Sequence, residues 1–378
     1  METLYTKSKV IKSLKEFFSP YLLLLNKSTS GKLFMVILAI IAIQGVNSIR
    51  YLYNWFMKTI SKSSLNSYYY LFTYTELPLD IFMQITVRIA LACIPEELWN
   101  QPIFLTIDDT LQEKYGTKFE CYKKLFDHAQ HNGTNYLNGH CFVGLTMSIP
   151  VWIKKEIKYL SIPLGYRLRE EDENKLEIAS SMVEIAMGEL TKKSQVILLC
   201  DSWYPKGKVL ETVKKHENLE LSANVRVDSV IYDLPGENPK GKRGPKPKKG
   251  KKLDIHKDIK MKEVGDLFIG AKRAITNLFE DIVFVTVTAK DINNNDTYRV
   301  FISTLMPEEI LLDINRCEKE ILKKLSKEEM WLLPFYVYRF RWQIMPISAL
   351  LSLCRFFINA DISFENMHYQ HIKSKLSA

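Results

Sequence analysis

The segment from Ile103 to Leu168 constrains the fold more than any other part of this sequence. It contains three stretches rich in β-branched and apolar residues, which are "IFLTIDD" (103–109), "CFVGLTMSIPVW" (141–152) and "KYLSIPLGYRL" (158–168). Stretches of this composition, separated by polar turns, are typical of β-strands. The sequence therefore predicts a three-stranded antiparallel meander.

A helix and a short buried strand are predicted to follow the meander. The helix is "KLEIASSMVEIAMGEL" (175–190), and the strand is the apolar run "VILLCD" (196–201), after which Pro205 opens another helix. Three antiparallel strands, a helix and a fourth strand make the order of a ribonuclease H-like core. We therefore predict an α/β fold with the first part of this core at residues 101–219.

The regions on either side differ in their patterns. Residues 1–100 carry apolar residues at helical spacing and predict an N-terminal helical region, which is a candidate for DNA recognition. Within it, "SIRYLYNWFMK" (48–58) interleaves basic and aromatic residues, so both DNA contact and core packing remain open. Residues 220–305 predict a β-rich insertion, residues 306–352 a return to the core, and residues 353–378 a diverged or truncated tail.

The positive charge is concentrated in one loop. The formal net charge is +9, and residues 240–252 hold eight basic residues and no acid. Such a block suits a polyanion and favours nucleic acid as the partner, although a solvated linker is the alternative. The basic residues are Lys240, Lys242, Arg243, Lys246, Lys248, Lys249, Lys251 and Lys252.

Other features bound the cellular context. The longest apolar run, at 33–46, is about 14 residues, shorter than the roughly 18 to 20 that a membrane-spanning helix needs. The six cysteines show no paired spacing, which argues against a disulfide framework. We expect a cytoplasmic protein with no membrane partner.

Acidic residues stand where two predicted strands end. Asp108 and Asp109 end the first strand, and Asp201 ends the apolar run at 196–201. Carboxylates fixed at neighbouring strand ends can hold two Mg²⁺ ions, the arrangement used in metal-assisted phosphodiester hydrolysis. Each aspartate alone could instead form a turn or cap a helix.

A predicted helix near Tyr338 supplies a further candidate. At 100° per residue, Tyr338, Arg341 and positions 345 and 352 lie on one face of a helix. Arg341 could bind a DNA phosphate, because its planar fork suits bidentate contact with phosphate. Position 345 is Met345 and position 352 is Ser352.

Three stretches together, "IDDT", "LLCDSWYPKG" and "YRFRWQI", resemble the motif regions of DDE transposases of bacterial insertion sequences. The resemblance runs from about Leu33 to Ile344 and is to the large group named after insertion sequence four. The helix signature of that group is Tyr, two residues, Arg, three residues, Glu, six residues and Lys.

The resemblance implies residue roles. It makes Asp109 the first catalytic and metal-binding aspartate, with Asp108 as the alternative, and Asp201 the second. It implies that Tyr338 and Arg341, with the adjacent Trp342, contact DNA phosphates near the cleaved end. It further implies Mg²⁺, with Mn²⁺ as an alternative ion.

The resemblance also implies partners and a place in the cell. The partners are double-stranded DNA, as terminal inverted repeats and target DNA, and a second copy of the chain in the DNA complex. The implied location is the nucleoid of a bacterial cytoplasm.

The chain departs from the signature at its last two positions. The Glu is replaced by Met345, a thioether that is a poor ligand for Mg²⁺, and the Lys by Ser352. Pro346 should also interrupt the helix, since it lacks an N–H. We expect a transposase of impaired activity, whose tail after Ile344 is foreign to the family. A DNA-binding remnant that cannot cut, and a non-enzymatic DNA-binding regulator, are the alternatives.

Overall fold

The computed structural model describes residues 7–43, 48–114, 121–126, 136–170, 172–236 and 247–344. Two compact units are present. The described part of the first consists of residues 7–43, 48–86, 112–114, 121–126 and 136–140. The second consists of residues 87–111, 141–170, 172–236 and 247–344.

The described helices are α1 Lys7–Leu22, α2 Lys27–Ala42, α3 Ile49–Leu52, α4 Lys58–Ile60, α5 Leu65–Tyr74, α6 Leu79–Ala92, α7 Lys175–Glu189, α8 Gly207–Lys215, α9 Glu320–Lys323 and α10 Leu333–Tyr338. The described strands are β1 Ile103–Glu113, β2 Lys123–Phe126, β3 Tyr136–Ile153, β4 Glu156–Leu168, β5 Val196–Cys200, β6 Leu219–Val225, β7 Ile231–Tyr232, β8 Lys262–Val264, β9 Leu267–Thr276, β10 Ile282–Ala289 and β11 Arg299–Ser303.

The first unit is mainly helical. Its helices begin where the sequence offers caps, as at Asn26, whose side-chain oxygen accepts a 2.9 Å hydrogen bond from the backbone N–H of Thr29. No helix in the described segments is long and apolar enough to cross a membrane.

The basic and aromatic stretch at 48–58 serves the core of this unit in part. A π-helical turn, Tyr53–Met57, connects α3 to α4. Ile49, Leu52 and Met57 are fully buried, while the ring of Trp55 is exposed. Core packing, one of the two predicted uses of this stretch, is therefore present.

The second unit is built on a twisted sheet of mixed direction. Its strand order is β4-β3-β1-β5-β6-β11-β10-β9, with β7 and β8 both paired to β9. Strands β1, β5 and β6 are parallel, and β3 and β4 form an antiparallel hairpin. Strand β5, "VILLC", is buried at every position, as expected of a parallel strand covered on both faces.

Two helices complete the predicted order. Asn174 caps α7, since its side chain accepts a 3.1 Å hydrogen bond from the N–H of Leu176. Helix α8 packs against α7 and β6 through an apolar face that includes Val209 and Val213. The order of strands and helices confirms the predicted α/β, ribonuclease H-like fold.

The β-rich segment after residue 220 continues the core sheet. Strand β11 pairs antiparallel with β6, and β10 and β9 follow outward from β11. The alternating apolar residues of these strands find a partner at the free edge of β6, so the segment lengthens the existing sheet.

The basic loop leaves this sheet through a narrow neck. The backbone N–H of Asp233 donates to the carbonyl of Lys251 at 2.8 Å, and the N–H of Leu253 donates to Ile231 at 2.9 Å. Gly250 lies in the neck, where a Cβ atom would come within 2.4 Å of the carbonyl oxygen of Leu234. A residue without a side chain is required there.

The hairpin between β3 and β4 contains a two-residue turn of unusual sequence. Ile153 pairs with Glu156, and the turn residues Lys154 and Lys155 have φ angles of 53° and 68°. Positive φ at both positions defines the type I′ geometry, which normally favours Asn-Gly. The lysines therefore hold a strained backbone.

The last described segment docks onto the sheet through aromatic residues. The ring of Phe340 stacks on Phe104 of β1 with a centroid distance of 4.6 Å and meets the edge of Tyr159 at 4.9 Å. Phe340 is buried to 1% exposure. This contact fixes the position of the neighbouring residue, Arg341.

Candidate active site

The two adjacent aspartates of β1 lie within the strand. The sequence predicted that they end it, but β1 continues to Glu113 because the chain pairs onward, with the N–H of Lys114 donating to Asn138 at 2.9 Å. Successive side chains of a strand point to opposite faces, so Asp108 and Asp109 face different surroundings.

The sheet register aligns Asp108 with Asp201. In the parallel pair of β1 and β5, Thr106 is the partner of Leu199. Two positions further along the same direction stand Asp108 and Asp201. Equivalent positions of adjacent parallel strands project to the same side of a sheet, which puts both carboxylates on one side.

Arg341 lies between these two carboxylates. Its Nη2 atom donates a 3.0 Å hydrogen bond to Oδ1 of Asp108 and lies 4.0 Å from Oδ2 of Asp201. The arginine side chain is only 10% exposed, whereas that of Asp108 is 49% exposed and that of Asp201 38% exposed. The site thus presents two acids to solvent above a buried cation.

Electrostatics at Asp108 reflect this crowding. Desolvation raises the pKa of Asp108, the positive charge of Arg341 lowers it, and the negative charges of Asp201 and Asp109 raise it further, with a net upward shift. Two acids that repel each other and share one cation form a site that a further cation would stabilise.

Asp201 is held by the turn that follows β5. Its Oδ1 atom accepts a 3.0 Å hydrogen bond from the backbone N–H of Trp203. Asp201 directly follows the last residue of the strand, Cys200, so its backbone is fixed by the sheet. One oxygen is occupied by the turn, and the other faces Arg341.

Asp109 makes a separate set of contacts. Its Oδ1 accepts a 3.0 Å hydrogen bond from the hydroxyl of Tyr204, and its Oδ2 lies 3.0 Å from Nζ of Lys175. The thiol of Cys141 lies 3.7 Å from the same Oδ2. The Asp109 side chain is 16% exposed, and its negative charge is paired with a lysine.

Burial suppresses ionisation of the groups around Asp109. Desolvation, followed by the charge of Asp109, raises the pKa of Cys141 to about 12. The same two causes raise the pKa of Tyr204. Tyr204 is therefore a hydrogen-bond donor to Asp109 and stays protonated.

The segment that contains Arg341 begins as an α-helix and continues as a 3₁₀ helix. We predicted one α-helix with Tyr338 and Arg341 on the same face, but α10 ends at Tyr338 and residues Arg339–Ile344 form a 3₁₀ helix. Three residues per turn still put the two side chains on one face. Met345, Pro346 and Ser352 lie outside the described residues.

A nitrogen of the buried arginine is unsatisfied. The Nε atom of Arg341 finds no hydrogen-bond partner within the described segments. Leaving a buried polar group unpaired costs about 1 to 3 kcal/mol, more when it is charged. The Nε–H group could therefore donate one further hydrogen bond.

The other two predicted DNA contacts of this helix differ in exposure. Tyr338 is buried and packs on Phe301 at a centroid distance of 4.9 Å, and burial raises its pKa to about 12. Trp342 is exposed, with the guanidinium carbon of Arg341 5.5 Å from its ring centre. Trp342 alone of the two presents its ring to solvent.

The ring of Trp203, close to the candidate acids, has two lysine ammonium groups over it. Nζ of Lys206 lies 3.6 Å from its ring centre and Nζ of Lys175 lies 4.7 Å away. Trp203 is 43% exposed. Because Lys175 also pairs with Asp109, it connects the indole to the acids of β1.

The basic loop lies partly outside the described residues, which exclude Lys240, Lys242, Arg243 and Lys246. Lys248 and Lys252 are exposed. Lys249 donates a 2.6 Å hydrogen bond to Asn277 and covers the ring of Tyr232. Lys251 lies 3.5 Å from a carboxylate oxygen of Asp258. Lys249 and Lys251 thus contact other residues of the protein.

Sequence reasoning did not find Lys175, Tyr204 or Lys206. Two of them stand in the quoted stretch "LLCDSWYPKG", three and five positions after Asp201. Lys175 is the one basic residue of α7, and that position in the first turn was the signal that could have found it. Within the described segments, no group of three or more His, Cys, Asp or Glu side chains is placed to hold a metal ion.

The fold and these acids define a class of protein: ribonuclease H-like proteins with carboxylates at adjoining positions of the central strands. The sequence model of the DDE superfamily endonucleases matches residues 61–277, more than half of the chain. The chain therefore belongs to the DDE superfamily endonuclease family and is, by family, a transposase-like nuclease whose substrate is DNA. No curated protein matches it.

Proposed function

We propose that this chain is a transposase of a bacterial insertion sequence, of the group named after insertion sequence four, that cuts and joins DNA at element ends. The observation that carries the proposal is the register of β1 and β5, which aligns Asp108 with Asp201 above Arg341. Family membership supplies DNA as the substrate class.

The donor set favours Asp108 over Asp109 as the first metal ligand. Asp108 and Asp201 offer hard carboxylate oxygens at aligned positions, which suits Mg²⁺ or Mn²⁺. Asp108 and Asp109 each pair with a cation at 3.0 Å, but Asp109 is 16% exposed with its two oxygens engaged by Lys175 and Tyr204, whereas Asp108 is 49% exposed. We therefore assign the metal to Asp108 and Asp201, and to Asp109 the role of orienting Lys175 and Tyr204.

Bound divalent cations would activate the attacking oxygen and stabilise the charge that develops on the phosphate. The protein's own residues prepare the site for that chemistry. Arg341 offsets part of the negative charge of the two acids, and the adjacent Phe340 packs on Phe104 of β1. Trp203 fixes one oxygen of Asp201 through its backbone N–H, which limits the orientations of that carboxylate.

Activity of this copy should be low, because the third acid of the family signature is Met345. Among the described residues, Nε of Arg341 has no acceptor, and a carboxylate one turn beyond it could accept its hydrogen bond. A thioether accepts hydrogen bonds only weakly.

The test is a cleavage assay on the DNA ends of the element in Mg²⁺ or Mn²⁺. Weak cleavage that Asp201→Ala removes, with an unchanged melting temperature, supports a residual two-acid site. Binding of the ends without cleavage supports the alternative, a DNA-binding remnant. Robust cleavage that survives Asp201→Ala would overturn the assignment of the site.

A further inference from the structure

The surface beside Asp201 combines an exposed aromatic ring with converging positive charges. Trp203 and Lys206 come from the turn between β5 and α8, and Lys175 from the first turn of α7. None of these side chains belongs to the pair of acids assigned to the metal. They are available for a different task next to it.

The positive charges are close enough to affect one another. Desolvation lowers the pKa of Lys206, the charges of Lys175 and Arg226 lower it further, and the charge of Asp201 opposes them in part. Lys175 is paired with Asp109 at 3.0 Å, and Arg226 with Asp228 through two bonds of 2.8 and 2.9 Å. Lys206 forms no ion pair within the described segments.

A bound anion would reduce the repulsion between Lys206 and the positive charges near it. Like charges that converge on a half-buried ammonium disfavour its charged form, whereas an anion bound to it stabilises that form. The ammonium of Lys206 is held at 3.6 Å over the indole, so its position is defined before any ligand arrives. Phosphate groups of DNA are the anions that a nuclease of this family meets.

The indole suits a second part of the same ligand. Exposed aromatic rings stack on unpaired nucleobases in proteins that hold single strands, and this contact tolerates any base sequence. The backbone N–H of Trp203 donates to Asp201 at 3.0 Å, which fixes the backbone of Trp203 next to the candidate metal ligand. The part of Trp203 that stays exposed beside the ammonium groups of Lys206 and Lys175 is the part that could stack on a base.

We propose that Trp203 and Lys206 form a nucleotide subsite, in which Trp203 stacks on an unpaired base and Lys206 binds the adjoining phosphate of the DNA strand led to Asp201. Lys175 is a positioning residue that connects this subsite to Asp109. The inference rests on the proposed function, because it takes DNA as the substrate.

The test measures DNA binding without divalent metal, so that cleavage plays no part. The probe is a fluorescent 30-base-pair duplex with a five-nucleotide single-stranded 3′ end, compared with the fully paired duplex over a range of salt concentrations. The variants are Trp203→Ala, Trp203→Phe and Lys206→Gln. Matched controls are Lys208→Gln, an exposed lysine paired with Glu211 at 2.8 Å, and Trp331→Ala, whose ring lies 5.9 Å from Nζ of Lys262.

Trp203→Ala should weaken binding of the single-stranded end roughly 5- to 100-fold, the range expected for one lost base stack, with little effect on the paired probe. Trp203→Phe should recover most of the affinity. Lys206→Gln should weaken binding of both probes and reduce the slope of log affinity against log salt by about 0.7 to 0.9, as for one lost phosphate contact.

Equal effects of Lys206→Gln and Lys208→Gln, or unchanged binding by Trp203→Ala, would overturn the subsite and leave the proposed function standing. Absence of DNA binding by the wild-type chain would overturn both. DNA binding that depends on Trp203, in a chain that shows no cleavage with Mg²⁺ or Mn²⁺, would support the subsite and overturn the proposed cleavage function. Circular dichroism and melting temperature of each variant separate these outcomes from loss of folding.

Discussion

The guanidinium of Arg341 donates a 3.0 Å hydrogen bond to the carboxylate of Asp108. This contact joins the first strand of the ribonuclease H-like sheet to the last described helical segment. It involves Asp108, the one of two adjacent aspartates that the register of β1 and β5 puts on the same side as Asp201, and it leads to the first prediction.

Asp108→Asn and Asp201→Asn should each reduce metal-dependent cleavage by more than about 100-fold. Asp109→Asn should reduce it by only about 10-fold, because Asp109 contacts Lys175 and Tyr204 instead of Asp201, and partners outside the ligand set cost about 10- to 100-fold. The measurement is initial cleavage rate on element ends in Mn²⁺. A larger loss for Asp109→Asn than for Asp108→Asn would reverse the assignment of the two acids.

The signature positions give a second prediction. Met345→Glu with Ser352→Lys should not restore cleavage, because a proline at position 346 disfavours a continuous helix, whereas adding Pro346→Ala should raise the rate at least about tenfold. The triple variant should also melt at a higher temperature if the new carboxylate accepts from Nε of Arg341. The same triple change combined with Asp201→Ala is the control and should remain inactive. A rate equal to wild type in the triple variant would contradict the proposed cause of the impairment.

The aromatic contact beneath Arg341 gives a third prediction. Phe340→Ala should lower the free energy of unfolding by about 3 to 5 kcal/mol, since the ring is buried and packs on both Phe104 and Tyr159. Phe340→Leu should cost less, about 1.5 kcal/mol, because it keeps most of the apolar volume. Urea unfolding followed by tryptophan fluorescence makes the measurement. Equal losses in both variants would show that the aromatic contact is not what holds this segment.

The strained hairpin gives a prediction of increased stability. Lys154→Asn with Lys155→Gly should raise the free energy of unfolding by about 1 kcal/mol, because both positions have positive φ, which costs L-residues about 1 to 2 kcal/mol each. The control is Gly265→Ala, at a φ of 59°, which should lower it instead. A fall in melting temperature for the first variant would show that the lysine side chains stabilise the turn.

An ion pair between α6 and α7 gives a prediction on pH. Arg88 donates hydrogen bonds of 2.6 and 2.7 Å to Glu189, and these bonds, followed by its charge, hold the pKa of Glu189 below the ordinary 4.5. The folded state therefore prefers the ionised acid. The stabilisation is complete above pH 4.5 and is lost as the pH falls through the lowered pKa.

Glu189→Gln should therefore lower the melting temperature at pH 7 and lower it less at pH 3.5. Glu211→Gln, in an exposed pair with Lys208, is the matched control and should change little at either pH. Thermal melts at pH 7 and at pH 3.5 provide the comparison. An equal loss at both pH values would mean that the ion pair is not the source of the effect.

The sequence predicted the core of the fold because its strands are strongly apolar. "VILLC" can be buried on both faces of a sheet. The three stretches before it carry enough β-branched residues to favour strands over helices. The sequence did not predict that β11, β10 and β9 lengthen this sheet. Pairing between distant strands depends on which edge is free, and local composition does not contain that information.

Sequence analysis named the three aspartates and Arg341 as candidate site residues, but it did not name Lys175, Tyr204 or Lys206. Asp108, Asp109 and Asp201 stand out because acids are rare in apolar strands, but which of the first two faces Asp201 follows from sheet register. Lys175 could not be assigned, since its contact with Asp109 crosses 66 residues and depends on how α7 packs. The roles of these residues in catalysis and DNA binding stay predictions.

The order of synthesis has a bearing on when the site can work. Arg341 lies 233 residues after Asp108, and a ribosome adding 5 to 20 residues per second needs roughly 10 to 50 s to make that stretch. For the last 140 residues of this stretch, Asp108 and Asp201 have both been made and Arg341 has not. The pair becomes a finished site only when the helix at 333–344 arrives and docks. The contact between Arg341 and the two acids therefore cannot form before residues 333–344 have been made.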